Sequence, residues 1–447
     1  MDRFLNANLQ KLLSLLLIFA LGTNCLLGAC TSNNRATTNN QSAEPSNTPP
    51  PELLEGYAYS WVRDTNFSNL NTDDQLNLIN TAYYNEGFQA QFHAIGTAPN
   101  EDIYVSGTVV YGTVADINND TSLRYALIVR YDKNLRYVDS FSTADFIAFY
   151  TLGIDKEGFI FVEGTGYGNN TIIKLDCELI EINRQEVLPM ACFRAIAFTT
   201  DNCLLMCGLI TTNPNGFGDD AIIVKYNTNL ELIDYVTWND GVLSSFDKLA
   251  VSSDSSIFVV GSIRVPYVAN SIAVLCKYNS NLELLDTTIK SEGLNDTFVD
   301  LTLGLDDSVY AVYDPGYVED DPGLRVIKYT SALVEVCVSS SIEELLNSTG
   351  SPQYNWPFLS SIVTDPKGLF YCIGKVTVST NATATQDYVF AIIIDSNLSV
   401  LNVSLCPAER GVQVAGACLS GNADVYVSGY YMNYGLAIDP TGALIIK

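Results

Sequence analysis

Two consecutive stretches, FDKLAVSSDSSIFVVG at 246–261 and SIAVLCKYNSNLELLDTTIK at 271–290, decide the fold. The first predicts two strands about a polar turn, because apolar runs flank the residues SSDSS. The second predicts two more strands about a tight turn at 279–281, where asparagine supplies the left-handed residue that a hairpin needs. Together they predict a unit of four antiparallel strands.

The same pattern recurs along the chain. An aromatic or apolar residue that opens a unit is followed fifteen positions later by a glycine, except in the fifth unit, where tyrosine replaces it. The seven pairs are Phe92 and Gly107, Phe149 and Gly164, Phe193 and Gly208, Phe246 and Gly261, Phe298 and Tyr313, Leu359 and Gly374, and Val414 and Gly429. Their spacing of roughly 44 to 61 residues suits the blade of a β-propeller. A glycine at the end of a second strand permits a close approach of neighbouring backbone.

The third strands and the turns that follow them strengthen this prediction. Third strands such as ALIVRY at 126–131 and AIIVKY at 221–226 are almost uninterruptedly apolar, as expected where both faces of a sheet are covered. The turns after them carry Asn or Asp at 132–134, 227–229, 279–281 and 395–397. The sequence therefore predicts a single all-β, seven-bladed β-propeller with four-stranded blades.

Composition limits the partners of this fold. Lys and Arg number 23 against 50 Asp and Glu, so the net charge is −27. Such a chain has no general surface for neutralising phosphates, which argues against nucleic acid as a partner. The 47% of hydrophobic residues and 26 tyrosines favour strands over disorder.

The N-terminal residues are different in kind. Arg3 and Lys11 flank a polar start, and the apolar run at 12–21 has the length of a signal-peptide core. The residues Leu-Gly-Ala-Cys that end at Cys30 resemble a bacterial lipobox, which implies cleavage before Cys30 and a diacylglycerol, with its fatty acyl chains, on the thiol. A signal anchor is the alternative, but polar residues make 12–29 a poor membrane span.

The expected organisation is a lipoprotein signal peptide at 1–29, a lipidated Cys30 with a disordered tether at 30–55, and the propeller at 56–447. Residues 31–51 are polar and proline-rich, which is typical of a tether. The expected location is the cell membrane or the outer membrane, with an extracytoplasmic body held by its lipid.

A propeller must close, and an N-terminal strand is expected to close this one. Residues 57–63 resemble the fourth-strand segment at 234–240, whereas the last unit stops partway through its own fourth strand. We therefore expect residues near 57–63 to pair with the last blade and to remove a free sheet edge. Residues 72–85 are expected to include a short helix that begins at Thr72.

The repeated units resemble the propeller-forming repeats of bacterial secreted and surface proteins, of the SBBP and delta-60 kinds. The motifs behind this are the opening aromatic, the IYVSG or IFVVG second strand, and the AIIVKYNTNLELI hairpin. The resemblance covers nearly all of the mature chain, in short motifs. It implies the fold and an envelope setting, and it transfers no reaction to any residue.

Catalytic chemistry finds little support in the sequence. His93 is the only histidine, which excludes Ser-His-Asp, Cys-His and multi-histidine metal sites, and a structural role is expected for it. Nine cysteines remain after Cys25 and Cys30, and buried free thiols are expected because the number is odd and most lie in apolar strands. No cofactor is expected other than calcium, for which Asp116, Asn118 and Asp120 offer alternating oxygen ligands; a solvated polar loop is the alternative.

A non-enzymatic binding or scaffold role for protein or glycan partners is the leading hypothesis. The longer loops, at 108–124, 209–220, 314–324 and 375–387, all join second to third strands and so belong on one face of the disc. Tyr111, Phe217 and Tyr317 are their candidate partner anchors. The alternative is a polysaccharide hydrolase or lyase, which requires two acidic side chains that converge near the channel.

Overall fold

The structure is a computed structural model of the chain. It describes residues 62–63, 81–84, 89–111, 123–166, 170–212, 219–239, 243–264, 270–293, 295–316, 323–347, 354–379, 385–408, 411–431 and 443–446. The predicted signal peptide, Cys30 and the tether lie outside the described residues.

Units one to four each form an antiparallel sheet of four consecutive strands. The strands of units one and two are β3 (Gln89–Thr97), β4 (Ile103–Tyr111), β5 (Leu123–Tyr131), β6 (Tyr137–Thr143), β7 (Ala148–Ile154), β8 (Ile160–Thr165), β9 (Thr171–Leu175) and β10 (Glu181–Glu186). Those of units three and four are β11 (Ala191–Phe198), β12 (Leu204–Thr211), β13 (Asp219–Tyr226), β14 (Leu232–Trp238), β15 (Leu243–Val251), β16 (Ile257–Arg264), β17 (Ser271–Tyr278) and β18 (Leu284–Lys290).

The remaining strands form three more sheets. Unit five contains β19 (Thr297–Leu303), β20 (Val309–Asp314), β21 (Arg325–Tyr329) and β22 (Glu335–Val338). Unit six contains β23 (Tyr354–Thr364), β24 (Phe370–Ser379), β25 (Thr385–Ile394) and β26 (Val400–Ala408), with β1 (Val62–Arg63) as a fifth strand. Unit seven contains β27 (Val412–Leu419), β28 (Val425–Tyr431) and β29 (Ala443–Ile446), and its fourth strand is β2 (Thr81–Tyr84).

The first strand of each unit lies at the centre of the fold. These strands contact one another in the order β3, β7, β11, β15, β19, β23 and β27, and β27 contacts β3. The described residues thus form six four-stranded sheets and one five-stranded sheet around a central channel. This confirms the all-β β-propeller with four-stranded antiparallel blades.

Every predicted pair lies opposite its partner in the ladder between first and second strands. Phe92 faces Gly107, Phe246 faces Gly261, and the same register holds for the other five pairs. Directly after each opening residue the register shifts by one position, which is a β-bulge in the first strand. The fifteen-residue spacing is therefore the distance along the chain between two facing residues of a bulged hairpin.

The glycine of the pair is required by this bulge. A Cβ on Gly261 would lie 1.9 Å from the carbonyl oxygen of Ser245, and a Cβ on Gly208 would lie 2.0 Å from that of Cys192. No side chain fits at such distances, so the bulged backbone occupies the space that a side chain would take. In unit five, Tyr313 fills the position, and its buried hydroxyl donates a hydrogen bond to the Asp296 carboxylate.

Neighbouring sheets pack face to face, and the third strands supply both faces. In β13, Ala221 and Ile223 pack against unit four, whereas Ile222 and Val224 pack against unit two. All four are fully buried. The uninterrupted apolar run of the third strand is thus explained by burial on both sides.

The tight turns after the third strands differ from the prediction in one respect. The left-handed residue is the leucine that follows the Asn or Asp, as at Leu230 with a φ of 65°. Asn227 instead accepts hydrogen bonds at Oδ1 from the backbone N–H groups of Asn229 and Glu231, both at 2.9 Å. A left-handed residue with a side chain costs about 1–2 kcal/mol, and burial of a leucine contributes about 1.5–3 kcal/mol. Leu230 is buried, so packing decides the turn.

A second repeated contact links each unit to the next. Lysines near the ends of third strands donate to backbone carbonyls in the following unit's turn. These bonds join Lys174 Nζ to Thr228 O at 2.9 Å, Lys225 Nζ to Ser280 O at 3.1 Å, Lys277 Nζ to Ser331 O at 2.8 Å, and Lys328 Nζ to Ser396 O at 2.9 Å. The lysine one residue before the end of these third strands is therefore an inter-blade tie, a role that the sequence pattern alone did not reveal.

The N-terminal strands lie elsewhere than expected. Val62 and Arg63 pair with Leu405 and Ser404 in β26, so the predicted pairing of 57–63 with the last blade is wrong for the two residues that are described. The strand that pairs with the final strand is β2, in which Thr81 faces Ile446 and Tyr84 faces Ala443. Thr81 and Tyr84 belong to residues 72–85, which were predicted to include a short helix. The structure has them in an extended strand instead. Antiparallel hydrogen bonding to β29 accounts for the extended conformation at this position.

The helix α1 (Ile342–Asn347) lies between units five and six. Ser341 caps it, because its hydroxyl accepts a hydrogen bond from the Glu344 N–H at 3.0 Å, and the Glu344 carboxylate accepts one from the Ser341 N–H at 3.2 Å. This reciprocal arrangement is a capping box.

The bulge requirement predicts a sharp difference between two glycines. Gly261→Ala is expected to destabilise the protein by about 2 kcal/mol or more, because the new Cβ must displace the backbone at Ser245. Gly421→Ala is the control, since a Cβ there meets nothing within 4 Å. Urea unfolding followed by tryptophan fluorescence measures both. Equal stabilities for the two variants would contradict the requirement.

Candidate functional site

Six of the residues proposed from the sequence as site residues lie outside the described residues: Cys30, Asp116, Asn118, Asp120, Phe217 and Tyr317. Tyr111 is described. It ends β4, is half-buried, and its ring meets that of Tyr125 edge-on at 5.3 Å between centroids. Tyr111 therefore packs against its own blade at the start of the loop that follows.

Two acidic residues at 219–220, expected in a loop between second and third strands, belong to a strand instead. Asp219 and Asp220 begin β13. Asp219 accepts a hydrogen bond from the Thr211 hydroxyl at 2.8 Å, and Asp220 is buried and accepts one from Asn239. Pairing with β12 orders these side chains, which is why they are not solvated as a loop tip would be.

The bulges place a set of side chains at matching positions of the seven first strands, and we call this set the bulge ring. It consists of the extra residue of each first strand: His93, Tyr150, Arg194, Asp247, Val299, Ser360 and Ala415. The loops between second and third strands emerge at the end of the disc where the first strands begin, and we call this end the loop face. Tyr150 is third of the seven residues of β7 and Arg194 is fourth of the eight residues of β11, so both lie in the half of the strand nearer this face.

The residues of the bulge ring differ in chemistry around the circle. Units one to four contribute His93, Tyr150, Arg194 and Asp247 in succession, whereas units five to seven contribute small or apolar residues. Contacts join members of the polar half across unit boundaries. The rings of His93 and Tyr150 lie 4.7 Å apart, and Arg194 forms an ion pair with Asp247. We call this half of the bulge ring the polar sector.

His93 is held as a neutral ring. It lies between Tyr150 and Tyr430, whose ring centroids are 4.7 and 6.3 Å from its own. Its Nε2 atom is buried and has no hydrogen-bond partner among the described residues. Burial disfavours the charged imidazolium and lowers the pKa of His93 to about 4. The sequence predicted a satisfied structural histidine, and the unpaired nitrogen departs from that expectation.

Arg194 and Asp247 lie within a cluster of basic groups. Burial raises the pKa of the Asp247 carboxyl, and the positive charges of Arg194, Lys248 and Arg264 oppose that rise. The Arg194 side chain is 43% exposed at the channel. Lys248 directly follows the bulge and is half-buried. Positive charge is thus concentrated here in a strongly acidic chain.

Two other buried carboxylates near the channel are engaged in the structure. Glu163 is fully buried, and its Oε1 accepts hydrogen bonds from Asn170 Nδ2 at 2.8 Å and from the Phe193 N–H at 3.4 Å. Asp300 accepts hydrogen bonds from the N–H groups of Leu301 and Ile362, both at 2.9 Å. Burial raises the pKa of both carboxyls, that of Glu163 to about 7. Both groups tie one unit to the next.

The described cysteines are all free thiols. Cys207, Cys276, Cys372 and Cys406 are buried, Cys203, Cys337 and Cys418 are half-buried, and Cys177 and Cys192 are exposed. Burial raises the pKa of the thiols of Cys276, Cys372 and Cys406 to about 12, so these are inert at neutral pH. The prediction of free thiols is confirmed, although only four of them are fully buried.

Two features are absent from the described part of the chain. It contains no helix that is long and apolar enough to cross a membrane. It contains no group of three or more His, Cys, Asp or Glu side chains arranged to hold a metal ion. The calcium ligands proposed from the sequence lie outside that part.

Comparisons with known proteins identify the fold. No protein-family model matches the sequence, and no curated protein matches it significantly. Among solved structures, a streptogramin B lyase is similar, with 13% identity and a TM-score of 0.51, covering 82% of this chain and 98% of that one. A virginiamycin B lyase from Staphylococcus aureus has the same identity and coverage with a TM-score of 0.49. At such low identity, the similarity to the first shows the β-propeller fold alone.

The environment of His93 predicts an unusual titration. Because His93 is the sole histidine, its imidazole protons can be assigned directly in an NMR spectrum. We expect them to titrate near pH 4 in the folded protein and near the ordinary value of about 6.5 after unfolding. Between these values the unfolded chain binds more protons, so stability falls as the pH is lowered from 6.5 toward 4.

Tyr150→Ser exposes one face of the imidazole, so we expect the pKa of His93 to rise toward 6.5 in that variant. A wild-type titration near 6.5 would contradict the packing described.

Proposed function

We propose that the protein is a lipid-anchored binding module of the cell envelope that recognises a glycan or protein partner on the loop face. In this proposal the diacylglycerol on Cys30 anchors the chain and residues 30–55 form the tether. The similarity of the repeats to those of bacterial secreted and surface proteins supports the envelope setting. The proposal includes seven blades, with the five-stranded sheet as the sixth in order, and closure of the seventh blade by the N-terminal strand β2.

Exposed aromatic and apolar side chains on the loop face are the observation that carries this proposal. Tyr150 is 46% exposed in the bulge ring, and Phe358, which directly precedes the opening residue of unit six, is 48% exposed. Met190 and Leu123, at 58% and 60%, lie at the ends of connections on the same face. Partner-binding sites combine exposed aromatic anchors with a polar surround, which the polar sector supplies.

An enzyme that acts on polysaccharide requires two carboxylates that converge on open space. Glu163 is fully buried, Asp300 is buried with both oxygens bonded to backbone N–H groups, and Asp247 is paired with Arg194. None of these described carboxylates offers the second member of such a pair. The hydrolase or lyase alternative therefore gains no support from the geometry.

Anchoring is tested with the full chain and a Cys30→Ala variant. We expect the wild-type protein to fractionate with membranes and to carry a diacylated N-terminal cysteine in its intact mass. The variant lacks the thiol that receives the lipid, so it is expected in the soluble fraction. An unmodified wild-type chain in the soluble fraction would overturn the lipoprotein part of the proposal.

The binding face is tested in the Cys30→Ala background, where lipid insertion does not interfere. Purified protein is titrated onto immobilised envelope polysaccharides and envelope proteins. Tyr150→Ser with Phe358→Ser is expected to reduce binding at least tenfold. Leu305→Ser is the matched control, because Leu305 is 71% exposed in a turn on the opposite face. Greater loss with the control than with the double variant would assign binding to the wrong face and overturn this part of the proposal.

A further inference from the structure

The basic groups around Asp247 contrast with the acidic character of the rest of the chain. The chain carries 23 Lys and Arg against 50 Asp and Glu, yet Arg194, Lys248 and Arg264 act together on one carboxyl at the channel. Two of the three contribute nothing to the internal bonding of the described residues. Lys248 and Arg264 form no hydrogen bond or ion pair with any residue that the structure describes.

Lys248 is the more informative of these two. It follows the bulge of β15 and faces Val260 in the ladder, so its backbone lies in the innermost strand. Its charge also lowers the pKa of Asp300 in the next unit, against the larger effect of burial. Its position is therefore between the first strands of units four and five. An unpaired ammonium at the channel is costly to desolvate unless an anion joins it.

Arg194 offers a second positively charged group to an anionic ligand. Its Nη1 atom pairs with Asp247, and it has no other partner among the described residues. With 43% of the side chain exposed, the remaining donors of the guanidinium are available to a ligand. Guanidinium groups bind carboxylates through two parallel hydrogen bonds.

The neighbouring ring-bearing residues define the other half of the site. Tyr150 lies in the unit before Arg194 and keeps an exposed ring that packs on the neutral imidazole of His93. An uncharged aromatic face suits the apolar face of a ring-shaped ligand, and Tyr loses little conformational freedom on binding. Cation and aromatic surface thus adjoin in consecutive units.

The first strands of units one to three pack closely against one another. A Cβ on Gly153 would lie 2.3 Å from the Ile196 side chain, and a Cβ on Gly96 would lie 2.8 Å from that of Leu152. Only glycine at these positions allows the first strands of units one to three to pack so closely.

We infer that the polar sector and the adjoining Lys248 bind an acidic glycan, with sugar carboxylates on Arg194 and Lys248 and a sugar ring on Tyr150. This inference rests on the proposed binding function and specifies its ligand class. Acidic sugars unite a carboxylate with a ring that has an apolar face, which is the combination the sector presents. The acidic remainder of the protein repels the same ligand and so favours its binding beside the basic groups around Asp247.

The test uses purified full-length Cys30→Ala protein and oligogalacturonate as the probe, followed by isothermal titration calorimetry. We expect binding that weakens as salt is raised. The methyl-esterified oligomer keeps the sugar rings and loses the charge, so it is expected to bind at least tenfold more weakly. Poly-glutamate keeps the charge without the sugar, and it too is expected to bind at least tenfold more weakly.

Variants assign the binding to the sector. Neither Lys248→Met nor Arg264→Gln breaks an ion pair in the described structure. Of these two variants, Lys248→Met is expected to reduce the affinity for oligogalacturonate at least fivefold. Lys156→Met is the matched control, since Lys156 is exposed in a turn on the opposite face. Circular dichroism verifies that each variant is folded.

The first two results that would overturn the inference leave the binding function in place. One is equal affinity for the charged and esterified oligomers, and the other is equal loss in Lys248→Met and Lys156→Met. Binding of poly-glutamate as strong as that of oligogalacturonate would replace the acidic glycan by an acidic peptide. Absence of binding to oligogalacturonate, together with retained binding of envelope proteins or neutral polysaccharides, would overturn the inference alone. Absence of all binding would overturn the proposed function with it.

Discussion

The bulge in each first strand, with a glycine opposite it in every unit but the fifth, is the constraint on which the rest of the structure depends. In five units the bulge brings the carbonyl of the residue before the opening residue into the space of a side chain, as Ser245 does at Gly261, so the second strand must offer a residue without Cβ there. Unit five has the same bulge and accommodates Tyr313. The bulge also adds one residue without a partner in the ladder to the first strand of each unit. The same feature that closes the hairpin therefore creates the bulge ring and its polar sector.

Most of the fold followed from patterns that have one physical meaning. Spacing between Phe246 and Gly261 measures a bulged hairpin, and the apolar run of β13 reflects burial on both faces. The positions of the turns were predicted correctly, but the residue that adopts the left-handed conformation was not. The preference of Asn for that conformation competes with the burial of Leu230, and burial contributes more free energy. The N-terminal pairing was misassigned, since the motif at 57–63 suits any outer edge and carries no signal for which sheet it joins.

The candidate site was much less visible in the sequence. Patterns within one repeat cannot show which residues of different units meet, and the contact of His93 with Tyr150 joins two units. The position one after the opening residue would have been the signal, because reading it across the units gives the whole bulge ring. Anchors were expected instead in the long loops, where Tyr111 turns out to pack on its own blade.

Amide hydrogen exchange of the full-length protein, with and without oligogalacturonate, tests the central claim that ligands bind at the bulge ring. The account predicts slower exchange in peptides that contain the bulges of β7, β11 and β15, with no change in the turns of the opposite face. Slower exchange confined to those turns or to the outer strands would contradict it.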